Sequence, residues 1–152
     1  MSLKIEKAKL NDLDVLHRIE RECFTSEAFT REHIAYLLES PNAVSLVAKA
    51  NHEIIGFIVG IIENYGRVTV GHVYTVDVAP KHRRIGVGLR LLNELEHIFL
   101  EKDVKTSYLE VRMDNKAARE LYRKKGYAEL EPLENFYAKG RHGLRMKKEL
   151  KK

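Results

Sequence analysis

The stretch "KHRRIGVGLRLL", residues 81–92, places arginines and glycines directly in front of an apolar run with helical spacing. Glycines such as Gly86 and Gly88 let backbone N–H groups approach a ligand without obstruction by a Cβ atom. The first turn of a helix leaves such donors unpaired, and the helix dipole adds partial positive charge there. Arg83 and Arg84 add side chains that bind phosphate oxygens through charge-assisted hydrogen bonds. The stretch therefore predicts an anion-binding loop at the start of a helix.

The segments on either side of this loop predict a strand–helix crossover. Before the loop, "GRVTVGHVYTVDVAP" has the composition of a strand and ends at Pro80. After the loop, apolar residues recur at the spacing of one buried helix face. These residues are Leu91, Leu92, Leu95, Ile98 and Phe99. A strand, "TSYLEVR", and a helix, "NKAARELYRKKG", follow. Crossovers of this kind bind ligands at the carboxyl ends of their strands, which is where the loop lies.

The rest of the chain adds strands and helices in an order that predicts a mixed sheet. "LKIEKAK" is a predicted first strand, and "NDLDVLHRIERECF" and "REHIAYLLES" are predicted helices. "AVSLVAKA" and "EIIGFIVGIIE" are strands joined by a tight turn, and the last two segments form an antiparallel pair. We expect a mixed α/β fold whose central, mostly antiparallel twisted sheet has about seven strands, with about four helices on both faces. Residues 1–152 are expected to form a single domain.

The loop lacks the Gly-Lys-Ser/Thr of a Walker loop and the three glycines of a Rossmann fingerprint. The order of strand, "RRIGVG", helix, strand and "DNKAARELYRKKGY" instead resembles the GNAT superfamily of N-acetyltransferases, with motif A at 72–100 and motif B at 106–127. The resemblance implies the GNAT fold and acetyl-CoA as cofactor, with the pyrophosphate on the loop and the pantetheine arm along the preceding strand. The cofactor-binding residues that it implies are Val76, Asp77, Val78, Arg83, Arg84, Ile85, Gly86, Val87, Gly88, Leu89, Asn115 and Tyr122.

Acetyl transfer from a thioester requires that the amine lose a proton and that the departing thiolate gain one. By the resemblance, Tyr122 stands where the family has the tyrosine that meets the CoA sulfur, so it is the candidate acid. Three residues are candidates for the base. Glu110 has apolar neighbours in its strand, so burial would raise its pKa. His72 is the second candidate, because an unperturbed histidine titrates near neutral pH, and Glu27 is the third, with a substrate contact as its other role.

Within the superfamily, two segments resemble RimI-type enzymes and the catalytic subunits of archaeal and eukaryotic protein N-terminal acetyltransferases. In "ECFTSEAFTREH", Phe24, Thr25 and Glu27 match positions that line the pocket for the first residue of the substrate. In "ENFYAKGRHGLRMKKEL", Phe136 and Tyr137 match paired aromatics that hold the peptide backbone. The chain departs from the family with Phe136 in place of tyrosine, Thr25 in place of proline, and Gly-Arg-His at 140–142 in place of Gly-Glu-Asp. The preferred N-terminal residue therefore stays open, and a more acidic N-terminus is one alternative.

The resemblance implies an enzyme that acetylates protein α-amino groups by direct transfer in a ternary complex. Cys23 is not expected to act as a nucleophile, because it lies on an apolar helix face rather than beside a base. One alternative is an acetyltransferase of the same fold that acts on a small amine or a lysine side chain. The other is a non-catalytic basic module that binds an anion or nucleic acid.

Composition sets the remaining expectations. The net charge of +5 suits an anionic ligand, but no nucleic-acid-binding module is recognisable, so nucleic acid is not expected. One cysteine and the absence of metal-ligand spacing predict no disulfide and no metal site. No apolar leader or membrane span is present in the sequence, which predicts a cytoplasmic protein. We expect a monomer or weak dimer, with a protein N-terminus as substrate; a ribosome or an auxiliary subunit is left open as a partner.

Overall fold

A computed structural model describes residues 2–151, which form seven strands and four α-helices in the predicted order. The strands are β1 (Leu3–Lys7), β2 (Ala43–Ala50), β3 (Glu53–Tyr65), β4 (Val68–Val78), β5 (Thr106–Arg112), β6 (Ala128–Ala138) and β7 (Arg141–Glu149). The helices are α1 (Leu13–Phe24), α2 (Arg31–Glu39), α3 (Val87–Glu101) and α4 (Lys116–Lys124). Single 3₁₀ turns occur at Leu10–Asp12, Thr25–Glu27 and Pro80–His82.

All seven strands belong to one sheet in the order β1-β2-β3-β4-β5-β7-β6. Every neighbouring pair is antiparallel except β4 and β5, which are parallel. The β2–β3 hairpin turns at Asn51 and His52, whose φ angles of 52° and 69° are both positive, as in a type I′ turn. The predicted mixed, mostly antiparallel sheet is therefore confirmed.

Helices cover both faces of the sheet, and each face has its own apolar core. On one face α3 packs its predicted apolar stripe against the sheet, and Phe99 is fully buried there. Gly71 makes room for this ring, since a Cβ at that position would lie 2.4 Å from a Phe99 ring carbon. Burial of one such side chain contributes about 1.5–3 kcal/mol. On the other face, α1 and α2 bury Leu16 and Ile19 together with Ile34.

The helices α1 and α2 begin in different ways. The Thr30 hydroxyl accepts a hydrogen bond from the His33 N–H at 3.1 Å and caps α2. Before α1 the chain makes a 3₁₀ turn, and the Asp12 carboxylate accepts from the Lys9 N–H instead of capping the helix. Among residues 2–151, no helix is both long and apolar enough to cross a membrane.

Candidate active site

The site is a cleft where β4 and β5 separate. The two parallel strands pair only from Gly71 to Val73 on β4 and from Ser107 to Leu109 on β5. Beyond these residues β4 remains paired with β3, and β5 with β7, so the facing edges have no strand partner in the described chain. The cleft that opens there has a volume of about 570 Å³. Predicted site residues that line it are Phe24, Thr25, Glu27, His72, Val76, Glu110, Asn115, Tyr122, Phe136 and Tyr137.

A β-bulge at Tyr74 determines which side chains of β4 face each layer of helices. Val59 pairs with Thr75 and Gly60 pairs with Val73, so Tyr74 is an extra residue on β4. The bulge shifts the alternation, and the tyrosine ring consequently projects into the cleft on the α1–α2 face. Past the bulge, Thr75 and Asp77 face α1, whereas Val76 and Val78 face α3.

The glycine loop has the geometry of an anion site. Arg84 and Gly86 both have positive φ angles, 68° and 86°, and α3 begins directly afterwards. Gly86 provides no capping side chain, so the N–H groups of the first turn, Val87 to Leu89, are available to a ligand. A Cβ placed on Gly86 would meet no atom within 4 Å, so the space in front of the loop is open. Ile85 is exposed there. The loop therefore fits the pyrophosphate of acetyl-CoA.

Two of the predicted cofactor side chains point away from this space. The Arg83 guanidinium donates to the Val78 carbonyl at 3.1 Å and contacts the Cys23 sulfur at 3.3 Å, which ties the loop to α1. The Asp77 side chain is completely buried against Glu20 of α1. Because its side chain is turned away, Asp77 has only its backbone groups to offer a ligand at the open edge of β4.

Motif B brings two further predicted residues to the cleft. The Asn115 side chain accepts from the Ala118 N–H at 3.1 Å and caps α4, which leaves its amide NH₂ for a ligand. Tyr122 on α4 packs edge-on against Tyr127, with ring centroids 6.0 Å apart. Its hydroxyl makes no hydrogen bond within residues 2–151, and burial raises the pKa of Tyr122 to about 12. The phenol is therefore protonated at neutral pH and can donate a proton into the cleft.

Two of the three base candidates form one hydrogen-bonded unit. His72 Nε2 lies 2.6 Å from Glu110 Oε1, and His72 Nδ1 lies 3.1 Å from Glu63 Oε2. The imidazole stacks on Tyr108 with centroids 4.1 Å apart, and the Tyr108 hydroxyl donates to Glu63. The Glu110 carboxylate also accepts from Arg145 Nε at 3.0 Å. We call Glu63, His72 and Glu110 the proton chain.

The expectation of a raised Glu110 pKa is wrong. Burial does raise the pKa, but the hydrogen bond from His72 and the charges of His72 and Arg145 outweigh it, so the pKa of Glu110 lies below its usual range. The sequence showed the apolar neighbours of Glu110 but not the cations that fold against it. A lowered pKa makes this carboxylate alone a poor proton acceptor at neutral pH.

The third base candidate, Glu27, is held by two arginines. Its carboxylate accepts from Arg112 Nη1 at 3.1 Å and from Arg141 Nη1 at 3.2 Å. Arg112 also binds Asp114 through two hydrogen bonds. This ion-pair cluster fixes the 3₁₀ turn after α1 to β5 and to the β6–β7 hairpin. The arrangement suits a wall of the substrate cleft more than a proton acceptor.

The β6–β7 hairpin carries the predicted aromatic pair to the mouth of the cleft. Regular pairing breaks between Leu133 and Ala138, so residues 134–137 bulge away from β7. Phe136 and Tyr137 pack edge to face with centroids 4.9 Å apart at 89°. They lie directly over Gly143 of β7, where a Cβ would approach both rings to within 3.3 Å.

Sequence reasoning missed Tyr74, which lines the cleft, and three residues behind it that bond to the proton chain or belong to it: Glu63, Tyr108 and Arg145. Glu63 could have been found, since the two-residue turn at 66–67 sets Tyr65 opposite Val68 and so fixes the hairpin register. That register places Ile61 opposite His72 and Glu63 diagonally beside it. The bulge at Tyr74 leaves no such signal in the sequence. Within the described chain, no three His, Cys, Asp or Glu side chains are arranged to hold a metal ion.

Comparisons with known proteins agree with this fold. Residues 13–127 match the family described as "Acetyltransferase (GNAT) family". The chain is 32% identical over 152 residues to an N-alpha-acetyltransferase of Sulfurisphaera tokodaii. The aligned region covers 90% of this chain and 87% of that protein. It is 30% identical over 148 residues to N-alpha-acetyltransferase 20 of Dictyostelium discoideum, and this alignment covers 96% of this chain and 85% of that protein.

Among solved structures, Ard1 from Thermoplasma volcanium superposes with a TM-score of 0.89 at 25% identity, over the whole of both chains. The predicted fold, enzyme class and resemblance are confirmed, and acetyl-CoA is the cofactor of this class. With a cleft between diverging strands, a glycine loop in front of α3 and a family match over most of its length, the chain belongs to the acetyltransferase (GNAT) family.

Proposed function

We propose that the protein acetylates the N-terminal α-amino group of protein substrates by direct transfer from acetyl-CoA. The observation that carries this proposal is the cleft between β4 and β5, which has His72, Glu110 and Tyr122 on its walls and an aromatic hairpin at its mouth. The similarity to proteins named N-alpha-acetyltransferases supports the same substrate class.

The cofactor side is built mainly from backbone atoms. The N–H groups at the start of α3 and the Arg84 side chain hold the pyrophosphate, and the unpaired edge of β4 at Val76 holds the pantetheine arm. The Asn115 amide group completes this side. Bound acetyl-CoA supplies an acetyl thioester, the activated form of the group to be transferred.

The proton chain removes a proton from the incoming amine. An α-ammonium group has a pKa of about 7.7–8.0, so only modest basicity is required. Glu110 faces the cleft and accepts the proton directly or through a water molecule. A neutral His72, with its proton on Nδ1 toward Glu63, then takes this proton at Nε2 and with it the positive charge. Glu63 and Glu110 then flank the imidazolium at 3.1 and 2.6 Å and stabilise it. His72 and Glu110 thus act as one base.

Tyr122 supplies a proton to the departing thiolate. Its partly buried phenol is protonated at neutral pH and makes no hydrogen bond to the described residues, so its hydroxyl is free to donate. Cys23 takes no part as a nucleophile: burial and the nearby Asp77 carboxyl raise the pKa of its thiol, which keeps the sulfur protonated.

The test is acetylation of synthetic peptides, with the modified nitrogen located by tandem mass spectrometry. Each peptide carries a free N-terminus and one internal lysine, and its control has the same sequence with a blocked N-terminus. We expect acetyl gain on the α-nitrogen of the free peptides and none on the blocked ones. Acetylation of the lysine in both forms, or of polyamines only, would favour the alternative substrates.

The partners and location of the protein stay predictions. We propose a monomer or weak dimer that acts on protein N-termini in the cytoplasm. Light scattering on the purified chain measures its mass directly. Association with ribosomes or with an auxiliary subunit is tested by sedimentation of tagged protein from cells of its source.

A further inference from the structure

Two acidic side chains are buried between α1 and β4, beside the cleft but outside the proton chain. Glu20 is 2% exposed and Asp77 is 0% exposed. Charged carboxylates are almost never buried to this degree without a cation or several donors, because desolvation of the charge costs several kcal/mol. The proposed mechanism gives neither residue a task.

The available donors are too few for two ionised carboxylates. The Thr75 hydroxyl has one hydrogen, yet it lies 2.5 Å from Asp77 Oδ1 and 3.2 Å from Glu20 Oε1. The Phe29 N–H donates to Glu20 Oε2 at 3.0 Å. Asp77 Oδ2 is enclosed and accepts no hydrogen bond from any described residue. A proton held between the two carboxyl groups satisfies these oxygens and removes one of the two charges.

The surroundings of the pair support this assignment. The titratable and charged groups that face it are the Cys23 thiol from α1, the Tyr122 phenol from α4 and the Arg83 guanidinium from the loop. Arg83 is the only cation among them, and its hydrogen bonds go to Val78 and Cys23 rather than to the pair. Burial and the adjacent Glu20 raise the pKa of Asp77 well above its ordinary range.

Glu20 connects this buried pair to the substrate side. By accepting from the Phe29 N–H it fixes the segment between α1 and α2 to β4. The Phe29 ring packs near Tyr74, with centroids 6.3 Å apart, and Tyr74 packs edge-on to His72 at 4.6 Å. Phe29 and Tyr74 both line the cleft.

We propose that Glu20 and Asp77 share one proton and that this carboxyl pair positions the Phe29–Tyr74 wall of the peptide cleft. As positioning residues they act through Phe29 and Tyr74. The substrate part of this inference rests on the proposed function, whereas the shared proton does not.

The shared proton is tested by unfolding in urea between pH 5 and 8. Asp77→Asn replaces the carboxyl proton with an amide that donates permanently. The unfolded chain loses the Asp77 proton near pH 4, whereas the folded chain keeps it. The wild-type unfolding constant therefore rises by about tenfold per pH unit until the pH reaches the pKa of the pair in the folded protein. We expect the ratio of the wild-type unfolding constant to that of Asp77→Asn to rise by about tenfold or more from pH 5 to 8.

The matched control is Glu22→Gln, which changes an exposed acid on α1, the helix that carries Glu20. The ratio of the wild-type unfolding constant to that of Glu22→Gln should stay constant from pH 5 to 8. A ratio for Asp77→Asn that is equally constant would show that the pair holds no shared proton, and would overturn the proposal. This measurement needs no substrate, so its outcome is independent of whether the protein acetylates peptides.

The positioning role is tested with Glu20→Ala and its conservative counterpart Glu20→Gln. Loss of the acceptor should speed amide hydrogen exchange at Phe29 by about tenfold in Glu20→Ala, and Glu20→Gln should restore protection. The KM for peptide should rise in Glu20→Ala while the KM for acetyl-CoA stays constant. Unchanged exchange at Phe29, or an equal rise in both KM values, would contradict the positioning role. If Glu20→Ala does not fold, amide hydrogen exchange at Phe29 is measured in the wild-type protein instead. The exchange rate should be low at pH 6. Above the pH at which the carboxyl pair loses its shared proton, the rate should rise more steeply than base catalysis of exchange alone explains.

Discussion

The two halves of the cleft are built by different means. The cofactor half consists of the β4 edge, the loop 83–89 and α4, and it offers mainly backbone groups from neighbouring positions in the sequence. The substrate half consists of the α1–α2 segment, the proton chain and the β6–β7 hairpin. Its working groups are side chains such as Glu63 and Arg145, brought together from distant strands. A continuous backbone site can be recognised from sequence, whereas an assembled side-chain site needs the fold.

Tyr122 lies where the two halves meet, and its removal should have the largest effect. Tyr122→Phe deletes the proton donor but keeps the ring that packs on Tyr127, so kcat should fall by about 10²–10⁴-fold. Acetyl-CoA binding, measured by calorimetry, should stay within twofold of wild type. Tyr36→Phe, on the exposed surface of α2, is the control and should change neither quantity. Loss of acetyl-CoA binding in Tyr122→Phe would instead assign Tyr122 a packing role.

Gly86→Ala should damage the cofactor half alone. A side chain at φ 86° costs about 1–2 kcal/mol, so the loop shifts away from its ligand geometry. The KM for acetyl-CoA should rise about tenfold, with the peptide KM unchanged. Gly66→Ala is matched to it, because Gly66 has a φ of 66°, equally open surroundings and a turn position in the β3–β4 hairpin. It should lower stability by a similar amount without affecting acetyl-CoA, and an equal change of KM in both variants would contradict the assignment of the loop.

Gly143→Ala should damage the substrate half alone, and less severely. The added methyl group would lie 3.2 Å from Phe136 Cβ and 3.2 Å from Tyr137 Cε2, so the aromatic pair has to move. Overpacking of this kind costs about 1 kcal/mol or more, and the peptide KM should rise about fivefold. Lys139→Ala at the exposed tip of the hairpin is the control. A higher KM for acetyl-CoA in Gly143→Ala would show that the two halves are not separable.

The smallest predicted effect concerns the ionisation of Glu110. In the wild type its pKa is lowered, so this group stabilises the fold above the pKa of the unfolded chain, and the contribution is lost as the pH falls through the folded pKa. Arg145→Gln removes one of the cations that lower the pKa of Glu110, so this pKa should rise. Carboxyl carbon shifts in an NMR titration report this directly. Arg123→Gln, which breaks an exposed ion pair between α4 and Glu129 of β6, should leave the pKa of Glu110 unchanged.

The sequence was sufficient for the element order and the glycine loop, because periodicity and local spacing encode them, whereas the residues of both motifs were named from the resemblance to the GNAT superfamily. It also identified His72 and Glu110 separately, but their pairing depends on β4 and β5 lying side by side. The pKa of Glu110 was predicted in the wrong direction because the residues that lower it, His72 first and then Arg145, lie 38 and 35 residues away and reach it through β4 and β7. The sequence did not predict the burial of Glu20 either. Glu20 lies on the apolar face of α1, and only the fold shows that Thr75 and Asp77 contact its side chain.

The central claim is that His72 and Glu110 act as one base on an α-amine, and a double-mutant cycle tests it most directly. We would measure kcat/KM for a peptide with a free N-terminus in wild type, Glu110→Gln, His72→Gln and the double variant. Each single variant should lose about 10²-fold. The double variant should lose little more than either single one, because the two residues form one unit. Losses that multiply in the double variant would contradict the account.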